Sequence, residues 1–599
     1  MPNVRFLPAD VAVEVASGTL LHEAAARAGV ADLELPCGGQ GSCGQCLVDL
    51  VDGDGAATSV LACRTQVESD LTVRLPEHRD TAMQVVGDSR FLASDGVLPD
   101  RASLSPLWRY VPLTVPPASI DEHHSDWKRL LRELPAMPVH TSPHVLAGLA
   151  EALRADEGRI TVGLAEHGST LRLVEVIPGH APPRAFGLAI DIGTTTVAVQ
   201  LVDLDDGRVL STGTAYNRQL RRGADVITRI DYARTPERSA ELRQLALETI
   251  NALLAELTTG THVEPGEIRA AFIAGNTTMV HLLLGLPPRY IREAPYVPTV
   301  NPVPPLTASE VGLDIAPEAA VAFAPGVGSY VGGDITAGVL STALPASRDE
   351  VCLFLDIGTN GEIVLGNADW MVACACSAGP AFEGSGIRCG MRAAAGAIES
   401  IELGERGRTV RYSVIGGGKP EGLCGSGLIC LAGELFRTGV IDAAGHFNPD
   451  PGNPRLTGSA FVVEGDIAIT EADLENLIRT KAAIYAACRL ILENVGLTWD
   501  DVARVFIAGG FGRYIRISEA IAIGMLPDLP HGRFSYIGNS ALTGAYIALL
   551  SADYRRKLAE TAARITYVDL SSEPRYMDSY VKAMFLPHTD LSEFSRRTQ

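Results

Sequence analysis

Eleven cysteines occur in the 599 residues, and four of them, Cys37, Cys43, Cys46 and Cys63, cluster near the amino end. Their spacing is C-x5-C-x2-C-x16-C, and the first three lie in the loop "CGGQGSCGQC". Glycine and serine let such a loop wrap a small inorganic core, bringing several thiolates and backbone N–H donors to one point. A zinc site would more naturally use two C-x2-C hooks, and only Cys43 and Cys46 form one. The odd total fits poorly with full pairing, so the cluster reads as a metal or redox site, not a disulfide framework. A second chemistry is written twice. An apolar strand ends in Asp-Ile-Gly-Thr in "FGLAIDIGTTTVAVQLVD" (186–203) and again in "VCLFLDIGTNGEIVLG" (351–366). Glycine after a strand-end aspartate allows a tight turn with N–H groups pointing outward, and the threonine hydroxyls add donors suited to phosphate oxygens. Asp191 and Asp356 then face one space and can hold Mg²⁺ directly or through water.

The surrounding elements repeat in step with these turns. "AAFIAGNTTMVHLLLG" (270–285) is matched by "RVFIAGGFGRYI" (504–515), each a buried strand ending in Ala-Gly. The second copy leaves a bare glycine surface against which a nucleoside can lie. Two copies of one order predict two similar halves around a cleft. Glycines that merely ended strands would leave the matched Asp and Thr unexplained. Between them run core helices: Thr235 and Pro236 open one as N-cap and N1, with Leu242, Leu245, Ile250, Leu253 and Leu257 on one face. Thr470 and Asp473 form a capping pair for another. Near the amino end, "VRFLP", "VAVEV", "CLVDLVD" and "LTVRL" read as strands, and Thr19 as the cap of "LLHEAAARAG". The expected division is 1–78, a linker over 79–105, a small α/β middle unit over 106–183 without residues suggestive of chemistry, and 184–599.

Composition bounds the partners. The chain is too long for one core, and a formal charge of −21 argues against nucleic acid or an anionic membrane, both of which select for basic surfaces. No apolar run reaches 18 residues and the start carries no signal core, so a cytoplasmic location is expected.

The amino-terminal element order and cysteine spacing resemble the β-grasp [2Fe–2S] ferredoxin domain, whose plant form is C-x4-C-x2-C…C. That resemblance implies a one-electron carrier held by Cys37, Cys43, Cys46 and Cys63. The duplicated turns resemble the acetate and sugar kinase/Hsp70/actin superfamily. There, the match implies, Gly193, Thr194, Thr195, Gly358, Thr359 and Asn360 contact the phosphates of ATP, and Gly509, Gly510 and Phe511 contact adenosine. Asp334, in "VGGD" at a helix start, is implied as a metal- or water-positioning carboxylate beside Asp191 and Asp356. Lys481 is expected to be a solvated helix lysine, not a nucleotide contact.

The whole arrangement looks like the reductive activators of corrinoid proteins: ferredoxin domain, linker, small middle domain, then a large duplicated actin-like ATPase domain. Three stretches carry that likeness: "YNRQLRRGADVITRIDYA" (216–233), "CSAGPAFEGSGIRCGMRAAAGAIE" (376–399) and "GLCGSGLI" (422–429). The resemblance implies ATP-dependent, one-electron reduction of a Co(II) corrinoid protein to Co(I), with a [2Fe–2S] cluster, ATP and Mg²⁺ as cofactors. It implies an electron-donating reductase or a flavodoxin or ferredoxin as a second partner, and leaves a homodimer open. Cys376 and Cys424 could instead resemble ligands of the activators of 2-hydroxyacyl-CoA dehydratases and aryl-CoA reductases, although small packing residues are the plainer reading. A redox-sensing small-molecule kinase and an ATP-binding chaperone-like protein are the readings from other classes.

Overall fold

The computed structural model describes residues 1–8, 10–30, 33, 46–51, 57–75, 104–119, 123–384, 386–509 and 515–598. The glycine-rich cysteine loop and most of the expected linker lie outside them.

The amino-terminal unit is a five-stranded mixed sheet in the order 11–14, 3–7, 71–74, 47–51, 57–61. The strand Asn3–Leu7 pairs antiparallel with Val11–Glu14 and parallel with Leu71–Arg74. The helix Leu21–Arg27 crosses it and buries Leu21, Ala24 and Ala25 against Val4, Phe6, Val48 and Val73. Thr19 does not cap this helix. Its hydroxyl donates to Ala16 O at 2.7 Å, and its backbone belongs to a two-residue strand paired with Gln66–Val67, so the N-cap falls one position later, on Leu20, which makes no side-chain cap bond.

The next unit is a four-stranded sheet, in the order 108–114, 159–167, 170–178, 139–141, with helices Asp126–Glu133 and Pro143–Ala155 packed over it. Ser125 and Ser142 accept from the third helical N–H of these two helices, as N-cap hydroxyls do. The unit is fastened to the carboxy-terminal half of the chain. Ser105 N and Leu107 N donate to Leu550 O and Leu549 O at 2.9 and 2.8 Å, and Arg555 pairs with Glu166.

The remaining chain forms two six-stranded sheets built alike. The first runs 209–216, 196–203, 186–192, 268–275, 320–323, 306–307; the second runs 565–567, 371–376, 361–366, 351–357, 502–508, 534–538. In each, an antiparallel hairpin carries the Asp-Ile-Gly-Thr turn and a parallel strand lies beside it. The registers correspond: Asp191 stands opposite Ala274, and Asp356 opposite Ala508. The central strands are buried on both faces, which is why they read as unbroken apolar runs. Two helices, Gly333–Leu340 and Ser540–Leu550, lie between the sheets. They approach backbone to backbone: a Cβ on Gly544 would meet Ala337 O at 2.4 Å, and one on Gly338 would meet Ser540 Oγ at 2.6 Å and the Phe354 ring at 2.9 Å. Both helices begin at the cleft between the halves.

Candidate functional site

The cleft encloses a cavity of about 180 Å³ at the ends of the paired hairpins. Asp191, Gly193, Thr194, Thr195, Asp334, Asp356, Gly358, Thr359, Asn360 and Gly509 all line it. Gly510 and Phe511 fall outside the described residues. The first turn closes through Gly193 N donating to Thr196 O at 3.0 Å, the second through Gly358 N donating to Asn360 O at 2.9 Å. Gly509, with φ +109°, brings its Cα so close to the second turn that a Cβ would sit 2.3 Å from Ile357 O. No other residue fits there. The two turns come from different halves, yet Thr195 Oγ1 and Thr359 Oγ1 stand 3.1 Å apart.

Several groups around this point were not singled out by the sequence. Asn539, the N-cap of the helix Ser540–Leu550, donates from Nδ2 to Asp191 Oδ2 at 2.8 Å while its Oδ1 accepts from Leu542 N. Asn276 likewise caps the helix Thr277–Leu284 and donates to Thr194 Oγ1 at 3.0 Å. It directly follows the first "FIAG", so the internal repeat offered a signal for it. Glu362, Glu383 and Arg392 also line the cavity, and the Arg392 guanidinium lies 4.1 Å over the Tyr216 ring of the other half. Behind the first turn, Asn217 donates to Gly193 O at 3.0 Å, and the fully buried Arg229 donates to Thr194 O, Gly223 O and Gln219 Oε1. Burial pushes that guanidinium down to about 9. The stretch 216–233 is therefore the buttress of the first turn.

The carboxylates are short of positive charge. Burial raises Asp191 from 3.8 to about 7, against the opposing hydrogen bond from Asn539 and with help from the charge of Asp334. Asp356 rises to about 7 through burial and then the charges of Asp334 and Asp191, and Asp334 to about 6 through burial. Glu362 is raised well above its ordinary value by burial and by Asp334 and Asp356. Their surfaces are partly open to the cavity, but the dense protein around them still disfavours the charged form. A divalent cation would relieve this. Among the described residues no three His, Cys, Asp or Glu side chains form a ready-made metal cage. That donor set suits Mg²⁺, which keeps several waters and takes phosphate oxygens as ligands.

Lys481 is neither solvated nor in the cleft. It is fully buried, and its Nζ donates to Phe585 O at 2.6 Å and Pro587 O at 2.7 Å, tying the helix Glu471–Asn494 to the carboxy-terminal segment. Cys376 and Cys424 are buried, and Cys424 Sγ donates to Ile398 O at 3.3 Å. Of the four amino-terminal cysteines, Cys37 and Cys43 lie outside the described residues. Cys46 and Cys63 are both buried, with Sγ atoms 3.1 Å apart and no disulfide. Two thiols converging at this distance fit ligands of one metal centre.

Fold and site define a class: a ferredoxin-like domain joined to a duplicated ATPase-type body of the acetate and sugar kinase/Hsp70/actin kind. Comparison with known proteins narrows this. Residues 5–68 match the 2Fe-2S iron-sulfur cluster binding domain, 100–182 the RACo linker region, 186–347 the RACo middle region, and 350–598 the C-terminal domain of RACo, the ASKHA domain. A solved structure described as "Reductive activator for corrinoid,iron-sulfur protein" is 44% identical, with a TM-score of 0.77 over 99% of this chain and 100% of that one. The "Corrinoid activation enzyme RamQ" of Eubacterium limosum is 32% identical over 95% of this chain and 96% of its own length. The "[Co(II) methylated amine-specific corrinoid protein] reductase" of Methanosarcina barkeri is 24% identical over 64% of this chain and 73% of its own. The chain belongs to the family of reductive activators of corrinoid proteins. Among the described residues no helix is long and apolar enough to cross a membrane.

Proposed function

We propose that this protein restores a corrinoid protein from Co(II) to Co(I) by ATP-dependent, one-electron reduction. One observation carries the ATP half of that reading: two phosphate-type turns from separate halves bring Thr195 and Thr359 within 3.1 Å, in a cavity that also holds Asp191, Asp334 and Asp356. The hydroxyls of Thr194, Thr195 and Thr359 bind phosphate oxygens, and Gly509 with Gly510 and Phe511 supports the adenosine. Asn539 fixes the rotamer of Asp191 and Asn276 that of Thr194, so both groups are oriented before the nucleotide arrives. Asp191 and Asp356, both acted on by the charge of Asp334, would hold Mg²⁺, which when bound would neutralise charge on the phosphates.

For the redox half, Cys37, Cys43, Cys46 and Cys63 hold a [2Fe–2S] centre, which when bound supplies a single electron at about −400 mV. A corrinoid couple about 100 mV lower sets an uphill gap of roughly 2.3 kcal/mol for one electron. A nucleotide-dependent conformation that binds the reduced partner more tightly offsets that gap by its differential affinity. The relatives' names and the ferredoxin-type match support the corrinoid partner; an electron donor of low potential completes the proposal.

The test is hydrolysis of Mg·ATP by the full-length protein with Asp191→Ala or Asp356→Ala. Each substitution should lower the rate about 100-fold or more, because charge neutralisation dominates phosphoryl transfer. Iron and sulfide content should stay at the wild-type level. Undiminished hydrolysis in both variants refutes the assignment.

A further inference from the structure

One carboxylate in the cleft, that of Glu383, sits on the two phosphate-type turns themselves. Glu383 closes the short 3-10 turn Pro380–Glu383, within the stretch 376–399. Its Oε2 accepts from Thr195 Oγ1 at 2.9 Å and from Thr359 Oγ1 at 3.0 Å. Its Oε1 lies over the second turn, 3.8 Å from where a Cβ on Gly358 would sit. A single carboxylate therefore spans the two phosphate-type turns at the seam between the halves. Each threonine hydroxyl has one proton to give. While both protons point at Glu383, the hydroxyls offer only lone pairs to an incoming phosphate oxygen, and the carboxylate adds like charge to the same spot. Glu383 and a polyphosphate thus compete for the same two donors.

We propose that Glu383 is a built-in occupant of the phosphate site: its carboxylate bolts Thr195 to Thr359 across the cleft, and a nucleotide binds by displacing it. This rests on the nucleotide reading of the cleft and adds a regulatory element to it. The displaced group has somewhere to transmit its movement. On one side Gly379 N donates to Thr359 O at 3.1 Å. On the other, Gly384 packs so closely on Met391 that a Cβ there would lie 2.5 Å from Met391 N, and the next residue, Arg392, covers Tyr216 of the opposite half. Leaving the turns shifts a segment that already touches both halves, so nucleotide occupancy is converted into a change at the seam.

The experiment uses full-length, cluster-loaded protein and three forms: wild type, Glu383→Ala and Glu383→Gln. Calorimetry measures binding of the Mg²⁺ complex of a non-hydrolysable ATP analogue and, separately, of adenosine, which lacks the competing phosphates. A self-occupied site weakens apparent affinity by the fraction of molecules that are open. Glu383→Ala should therefore bind the triphosphate about tenfold more tightly, with adenosine affinity unchanged. Glu383→Gln keeps the shape but loses charge assistance, so it should fall between the two and serves as the test if the alanine variant misfolds. Triphosphate affinity equal to or weaker than wild type in the variants overturns the proposal while leaving nucleotide binding intact. Equal tightening toward adenosine also overturns it. Absence of binding in all three proteins overturns the nucleotide reading and this inference together.

Discussion

Asp191, Asp334 and Asp356 show what a matched pair of short motifs can and cannot announce. The repeated Asp-Ile-Gly-Thr made two of them visible, but their protonation depends on neighbours that arrive from elsewhere. Their acidities move from 3.8 to about 7, 6 and 7. A carboxyl whose folded value is raised holds its proton in the folded state where the unfolded chain has lost it. The nucleotide-free protein is thus favoured below about pH 4 and loses that contribution as pH climbs through roughly 4 to 7. On the proposed reading, Mg²⁺-nucleotide pairs with the ionised forms and must expel those protons. Calorimetry of Mg·ADP binding at about pH 6 in two buffers of different ionisation enthalpy should show net proton release, fading by about pH 8. Identical heats in the two buffers contradict the arrangement. Lys481 makes the complementary point. Its partners are carbonyls of Phe585 and Pro587, more than a hundred residues onward, and no local pattern marks a lysine as a buried tie.

At the scale of elements, local signals were sufficient where the cap chemistry was local. Thr235 with Pro236, and Thr470 with Asp473, open their helices as the sequence indicates. Thr19 did not, because strand pairing with Gln66–Val67 claimed its backbone. The close approach of the helices Gly333–Leu340 and Ser540–Leu550 was hidden. Gly338 and Gly544 look unremarkable in apolar runs, yet they let Asp334, at the start of one helix, and Asn539, capping the other, reach the same cavity. Gly544→Val should force the helices apart against Ala337, destabilising the protein by about 1–3 kcal/mol and weakening Mg·ATP binding although residue 544 touches no nucleotide. Thermal melting and binding of the purified variant check this. Wild-type stability with wild-type affinity would mean the helix contact does not position the site.

For the molecule as a whole, the duplication was legible because both halves repeat the same strand, turn and parallel partner, and strands buried on two faces announce themselves as apolar runs. The seam was not. Asn539 meets Asp191 across 348 positions, and Glu383 meets Thr195 across 188, and sequence spacing carries no record of such pairs. Nor did it show that residues 104–107 would run along the end of the helix Ser540–Leu550, whose other end caps against Asp191. That helix therefore spans from the candidate nucleotide cleft to the edge of the four-stranded unit. ATP-dependent reduction requires the redox and nucleotide halves to work as one machine. The direct measurement is the visible spectrum of a Co(II) corrinoid protein mixed with reductant and the full-length, cluster-loaded protein, with and without Mg·ATP. Co(I) should accumulate with ATP and fail to accumulate without it. It should also fail with ATP when Asp356→Ala replaces the wild type. Equal Co(I) in the presence and absence of ATP would contradict the account.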